Sequence, residues 1–242
     1  MKQNSTSLIS LPFRVSADGI ITVSFVFYNY LIVKMSKGLF ITLEGSEGAG
    51  KSTQIEVISN YLKGKGRKVI CVREPGGTPI AEDIRALLKN PREDDSMCDT
   101  TELLLMYAAR AQLVNSFIKP KLQEGFDIIC DRHDLSTVAY QGGGRGMDMN
   151  HINAVRQIVL GNFRPDLTFL LDIDPEEGMK RARQRGKLDR FEQSKIDFFI
   201  RVRNTYIECA KEDPEHIVLI DGSLPLDKVS ANVIACLEKL DV

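Results

Sequence analysis

Eight consecutive residues, Gly45-Ser46-Glu47-Gly48-Ala49-Gly50-Lys51-Ser52, constrain this chain more than any other stretch. They fit G-x-x-x-x-G-K-[ST], the phosphate-binding loop. Leu39-Phe40-Ile41-Thr42-Leu43 before them is apolar and β-prone, as a buried strand would be. Thr53 to Leu62 after them carries apolar residues at helical spacing. Strand, loop and helix are the context that the motif requires. Glycines let backbone N–H groups turn inward around phosphate oxygens, and the helix N-terminus adds partial positive charge. Gly45, Ser46, Glu47, Gly48, Ala49, Gly50, Lys51, Ser52 and Thr53 are the expected nucleotide-binding residues. Lys51 is placed to reach the β- and γ-phosphates, and Ser52 to hold Mg²⁺.

The rest of the chain alternates strand and helix. Apolar runs predict strands over 39–44, 68–72, 127–132, 166–172 and 216–220. Between and after them, the spacing predicts helices over 52–64, 79–89, 100–124 with Thr100 or Thr101 as cap, 135–141, 148–160, 193–211 and 225–240. Pro175 opens one more, well placed at a first turn. Strands that read as unbroken apolar runs argue for a parallel sheet covered on both faces. Residues 90–99 form an acidic solvated connection, and Gly142 to Gly146 reads as a flexible loop. The hydrophobic share of 43% and charged share of 27% are those of an ordinary globular protein. A net charge of −1 gives no overall pull toward nucleic acid or a membrane surface. The five cysteines, Cys71, Cys98, Cys130, Cys209 and Cys236, are scattered and read as reduced, buried thiols.

Residues 1–34 differ in character from the remainder of the chain. A polar start gives way to an apolar, aromatic run from Ile20 to Val33, short for a membrane span and without the layout of a secretory signal. Three readings stand: a weak targeting or anchor segment, an added strand or packing arm, or an extension outside the domain with Met35 as the start. The organisation expected is an N-terminal extension over 1–34 and one domain over 35–242.

A phosphate loop alone says that a nucleoside triphosphate binds. Arg73, Arg85, Arg110 and Arg132 fall at or near strand C-terminal ends or on the helices after them. Each taken singly fits a surface salt bridge. Together on the loop's side they suggest a second phosphate-bearing substrate, because guanidinium forks suit phosphate oxygens. The basic segment 181–191 comes after the fourth strand, where a mobile lid would bring charge to a transferring phosphoryl group. Asp131-Arg132 ends the third strand at a magnesium-binding position.

Arg73-Glu74-Pro75-Gly76-Gly77-Thr78, Tyr107-Ala108-Ala109-Arg110, Asp131-Arg132-His133, Ser136-Thr137-Val138-Ala139-Tyr140-Gln141-Gly142 and the 181–192 segment occur in that order over 37–242. In combination they resemble the thymidylate kinase family. The resemblance implies a P-loop nucleoside-monophosphate kinase fold of α/β class, with a five-stranded parallel sheet flanked by helices and a lid. It implies ATP and Mg²⁺ as co-substrates, dTMP as acceptor, a homodimer in the cytoplasm, and no nucleic-acid or membrane partner. By that likeness Arg73, Arg85, Arg110 and Arg132 bind the acceptor phosphate, and Thr137 and Gln141 read the thymine. Tyr140 packs against the sugar, with Glu47, Pro75 and Ser136 also around the acceptor. Glu74 and Asp131 organise magnesium or its waters. The phosphate loop lacks the arginine of one subtype, and the lid is arginine-rich instead, as in the bacterial subgroup. Lys51, Arg132, Arg183, Arg185 and Arg190 are then the catalytic candidates, with the choice among the last three open. Where many members carry an aromatic residue for stacking on the base, this chain has Met106. The competing readings are a kinase for another nucleotide and a P-loop regulatory ATPase; a GTPase-type N-K-x-D stretch is absent from the sequence.

Overall fold

Strands without a polar face need cover on both sides, and a computed structural model of the chain supplies it. The structure describes Phe13–Val15, Ile21–Val23 and residues 37–184 and 189–239. The chain divides into two units, Met1–Lys37 and Gly38–Val242. In the first, β1 (Phe13–Val15) and β2 (Ile21–Val23) form an antiparallel ladder with Phe13 opposite Val23. Most of the apolar run from Ile20 to Val33 lies outside the described residues.

The second unit is built on β3 (Phe40–Glu44), β4 (Val69–Arg73), β5 (Asp127–Asp131), β6 (Leu167–Asp172) and β7 (Ile217–Asp221). Their order is β4-β5-β3-β6-β7, and every neighbouring pair is parallel. This is the five-stranded parallel sheet expected. β3 is central and buried throughout, while β4 and β7 at the edges are partly exposed. Side chains alternate between faces along a strand. Ile41 and Leu43 pack with Ile58 and Leu62 of α1 (Lys51–Gly64) and Val233 and Leu237 of the C-terminal helix, Leu226–Glu238. Phe40 points the other way, into a cluster with Ile128, Cys130, Leu113 and Ile118. Thr42 shares that second face, and its hydroxyl is 2.8 Å from the Thr168 hydroxyl, so the polar atoms inside the sheet satisfy each other.

The chain leaves each strand into a helix. α2 (Pro79–Lys89) has Pro79 in its first turn and the Thr78 hydroxyl accepting from the Ala81 N–H. α3 (Asp99–Leu113) begins after Cys98, ahead of the expected cap. It runs through a π-helical stretch, Val114–Ile118, into α4 (Lys119–Gln123). α5 (Asp134–Thr137) continues into a π-helical turn, Val138–Gly144. α6 (Met149–Val159) and α7 (Pro175–Arg183) start at Asp148 and Asp174, whose carboxylates accept backbone N–H groups. α8 (Ile196–Glu212) packs on the π-helical turn, and α9 (Leu226–Glu238) closes the fold.

Two expectations need correction. Gly142 to Gly144 are part of the π-helical turn, not a flexible loop. Gly143 and Gly144 are glycine because α8 comes close: a Cβ on Gly143 would lie 2.1 Å from Thr205 Oγ1, and one on Gly144 2.4 Å from the Phe198 ring. Arg201 of α8 also donates two hydrogen bonds to the Gly144 carbonyl. The cysteines are free, but only Cys130 is buried; Cys71 and Cys98 are exposed. Cys71 sits on an edge strand, and an apolar run does not bury both faces there.

Gly144→Ala is therefore expected to destabilise the domain by about 1–3 kcal/mol, as overpacking does. Gly64→Ala, whose Cβ meets nothing within 4 Å, should stay within about 1 kcal/mol of the parent. Urea unfolding of both variants checks this. Equal midpoints would show that the turn has slack around Phe198.

Candidate active site

The C-terminal ends of β3, β4 and β5 meet in one cleft of about 420 Å³. Ligands collect at such strand ends in open α/β sheets. The phosphate loop forms one wall. Gly45, Gly48 and Gly50 have φ of 132°, 72° and 91°, which only glycine adopts freely. A Cβ on Gly45 would lie 2.3 Å from the Leu171 carbonyl, and one on Gly48 2.2 Å from the Gly178 carbonyl, so the loop is held tight against β6 and α7. Lys51 folds over it, donating to the Gly45 and Ser46 carbonyls at 2.9 Å each. Burial and the Arg132 charge pull its pKa down to about 8, against the opposing pull of Asp131, Glu47 and Glu44. A lysine so placed gains from an anion beside it.

The opposite wall is pinned by Arg110, which is 2% exposed. Its Nε donates to Glu74 Oε2 at 2.8 Å, and its Nη2 to the His133 carbonyl at 2.9 Å and Thr137 Oγ1 at 3.0 Å. Nη1 reaches Asp134 at 3.4 Å. The second oxygen of Glu74 takes His133 Nδ1 at 2.8 Å. Charge from His133 and Arg110 holds the Glu74 carboxyl below its usual range even though burial opposes this.

Arg132 joins the two walls. It has φ of 69°, the left-handed region, unusual for a residue with a side chain, and that side chain reaches across the cleft. Nη2 donates to Glu47 of the phosphate loop at 2.9 Å and to the Tyr140 hydroxyl at 3.0 Å. Tyr140 donates in turn to Glu47. Nη1 reaches Ser136 at 3.2 Å and Tyr206 at 3.3 Å. Beneath lies Glu44, fully buried, accepting from the His133 N–H (2.7 Å), the Ser136 hydroxyl (2.5 Å) and the Tyr206 hydroxyl (3.0 Å). Burial raises its pKa despite these donors.

Arg73 and Arg85 carry positive charge at the rim. Arg73 pairs with Glu82 at 2.8 Å, and Arg85 donates to the Pro75 carbonyl at 2.6 Å. Burial and the neighbouring Arg73 depress the Arg85 pKa, the signature of a cation that an anion would relieve. Asp131 Oδ1 is buried and has no hydrogen-bond partner among the described residues. Asp131 lines the cleft with Lys51 and Ser52.

Most of the site residues expected from the sequence thus meet in this cleft: the phosphate loop from Glu47 to Thr53, Arg73, Glu74, Pro75, Arg85, Met106, Arg110, Asp131, Arg132, Ser136, Thr137, Tyr140 and Gln141. Met106 also packs on the apolar cluster around Phe198 and Phe199. Of the lid arginines expected to be catalytic, neither Arg183 nor Arg190 lines the cleft. Arg183 is exposed in the last turn of α7, and Arg185 lies outside the described residues. Arg190 is turned onto Glu102 at 2.7 Å and the Leu88 carbonyl at 2.7 Å. Arg181, the first residue of the basic segment, does line the cleft, and so does Lys89, to which no motif points. Glu44, Glu102 and Tyr206 are functional neighbours that sequence reasoning misses. Glu44 has one usable signal, a carboxylate ending an apolar strand directly before the loop.

A thymidylate kinase family model matches residues 43–233. A thymidylate kinase of Shewanella amazonensis is 52% identical over 201 residues, covering 83% of this chain and 96% of that protein. One from Legionella pneumophila is 49% identical over 202 residues, covering 84% and 95%. The crystal structure of thymidylate kinase from Ehrlichia chaffeensis superposes with a TM-score of 0.66 at 33% identity, over 83% of this chain and 98% of that one.

Arg110→Met should cost about 3–5 kcal/mol of stability, because it leaves the buried Glu74 with only His133 opposite it, while Asp134 keeps Arg156. Urea unfolding at pH 7 measures it. A cost below about 1 kcal/mol would mean that the cluster is not held together by this guanidinium.

Proposed function

The chain belongs to the thymidylate kinase family, and from that premise we propose that it transfers the terminal phosphoryl group of ATP to dTMP, giving ADP and dTDP. One observation carries the reading: the phosphate loop and Arg73, Arg85, Arg110 and Arg132 line a single cleft. Two phosphate-bearing molecules can then meet end to end.

The triphosphate lies on the loop, with Lys51 leaving its two carbonyls for the β- and γ-oxygens. The acceptor phosphate meets Arg73, Arg85 and Arg132, whose forks match its oxygens. Arg110 reaches the same cleft while it holds Glu74 and Thr137 in place. Thr137 and Gln141 face the base, Met106 packs on its ring through a polarisable sulfur, and Tyr140 with Glu47 borders the sugar. The acceptor oxygen is already anionic, so no general base is required. That oxygen bonds to the γ-phosphorus as the β–γ bridge breaks, and catalysis rests on in-line positioning and charge neutralisation.

Ser52 and the unpartnered Asp131 oxygen suit Mg²⁺, which takes one or two protein oxygens and completes its shell with phosphates and water. When bound, the ion would neutralise charge on the phosphate oxygens. Both Glu74 oxygens already accept a hydrogen bond, so Glu74 would help organise the ion or its waters rather than serve as its main ligand. Arg183 and Arg185 would bring further charge as lid arginines, while Arg190 is held by Glu102 and the Leu88 carbonyl. The homodimer and the cytoplasmic setting belong to the same reading. Ile158 of α6 and Leu104 of α3, on helices in contact, are 84% and 52% exposed, as an interface between copies would need.

A coupled assay of ATP consumption across nucleoside monophosphates tests the function. dTMP should stimulate consumption most, and Lys51→Ala should abolish it while the fold persists. A slow hydrolysis that no acceptor accelerates would favour a regulatory ATPase. The lowered Lys51 pKa adds a linkage. Bound polyphosphate favours protonated lysine, so near pH 8 ATP binding should take up a fraction of a proton and weaken as pH rises further. Calorimetry in two buffers of different ionisation enthalpy should show this uptake, and Lys51→Met should lose it. Equal heats in both buffers would contradict the assignment.

A further inference from the structure

We propose that Glu102 fixes which hydrogen-bonding edge Gln141 presents to the acceptor's base, and so makes the cleft select thymine against cytosine. The inference rests on the reading of the cleft as a dTMP site. Glu102 is a positioning residue: it touches neither nucleotide and acts through another side chain.

Gln141 is 1% exposed and lines the cleft from the π-helical turn. Its Nε2 donates to Glu102 Oε1 at 2.6 Å. Glu102, in the first turn of α3, is also 1% exposed. Two guanidinium groups hold its carboxylate. Arg145 donates to Oε1 at 3.3 Å and to Oε2 at 3.1 Å, and Arg190 approaches Oε2 at 2.7 Å. These partners keep the Glu102 carboxyl below its usual range although burial opposes it.

An ionised carboxylate only accepts hydrogen bonds. An amide turned the other way would set its carbonyl oxygen against Glu102, two buried acceptors facing each other, at a cost of at least about 1–3 kcal/mol. The orientation of Gln141 is therefore dictated by its neighbour's chemistry. One amide hydrogen goes to Glu102. The carbonyl oxygen and the second hydrogen remain for an occupant of the cleft.

Thymine offers an N–H beside a carbonyl on its pairing edge, which matches that acceptor–donor pair. Cytosine offers a bare nitrogen beside an amino group, the reverse pattern. A glutamine free to flip would serve either base, and the one held by Glu102 serves thymine. A site built to hydrogen-bond one pattern rejects the other strongly, because its own polar groups would be left unpaired.

The test compares kcat/KM for dTMP and dCMP in the parent protein and in Glu102→Gln, whose new amide can donate or accept. The dTMP-to-dCMP ratio should fall about tenfold or more. The KM for ATP should stay within about threefold, since the phosphate loop does not touch Glu102. Loss of the carboxylate leaves two arginines together, so Glu102→Gln with Arg145→Gln, which keeps the same local net charge, is measured if the single variant does not fold. A purely structural role would lower both acceptors by one common factor. A ratio within about threefold of the parent, in a folded variant, overturns the inference. A parent protein that does not use dTMP at all would overturn the reading of the cleft and the inference with it.

Discussion

The guanidinium of Arg110 is the point on which the wall opposite the phosphate loop depends. It is buried, and it ties the end of β4 through Glu74, the end of β5 through the His133 carbonyl, and α5 through Thr137 and Asp134. A buried charge of this kind is costly unless it is paired and its donors are used. Here its partners come from two separate stretches, Glu74 after β4 and residues 133–137 after β5, so neither can shift without breaking hydrogen bonds to a buried cation. The cavity wall is consequently set before any nucleotide arrives, and preorganisation of that kind lowers the cost of binding.

Arg132 performs the complementary task. Its contacts with Glu47, Tyr140, Ser136 and Tyr206 connect the phosphate loop to the opposite wall and to α8. The backbone at Arg132 lies in the left-handed region, and its single side chain makes all four of these contacts. Glu44 underneath anchors two of the same hydroxyls, so the strand that carries the loop also positions the arginine facing it. The two halves of the cleft are joined by side chains, and both rest on β3 and β5.

Much of this was legible in the sequence because it is local. The phosphate loop, the strand before it and the helix after it lie within a few dozen residues, and the apolar runs of β3, β5 and β6 announce a covered parallel sheet. Pro79, Pro175, Asp148 and Asp174 mark helix starts for reasons confined to one turn. What escaped depends on distant approach. Gly143 and Gly144 look like freedom, but they are places where Thr205 and Phe198 come too close for a side chain. Tyr206 sits at helical core spacing and gives no sign that its hydroxyl reaches Glu44. Glu102 looks like any acidic residue in a first turn until folding brings Arg145, Arg190 and Gln141 around it. Arg190 is legible as charge, but its direction is set by Glu102 and the end of α2.

The central claim is that the phosphate loop and the arginine-lined wall serve one transfer between two nucleotides. A molecule that joins adenosine to thymidine through a chain of phosphates tests this most directly, with calorimetry on the intact chain. One molecule should bind per chain, in competition with both ATP and dTMP, with an affinity at least about a hundredfold above either nucleotide alone. Binding no tighter than ATP, with dTMP still able to bind beside it, would contradict the account.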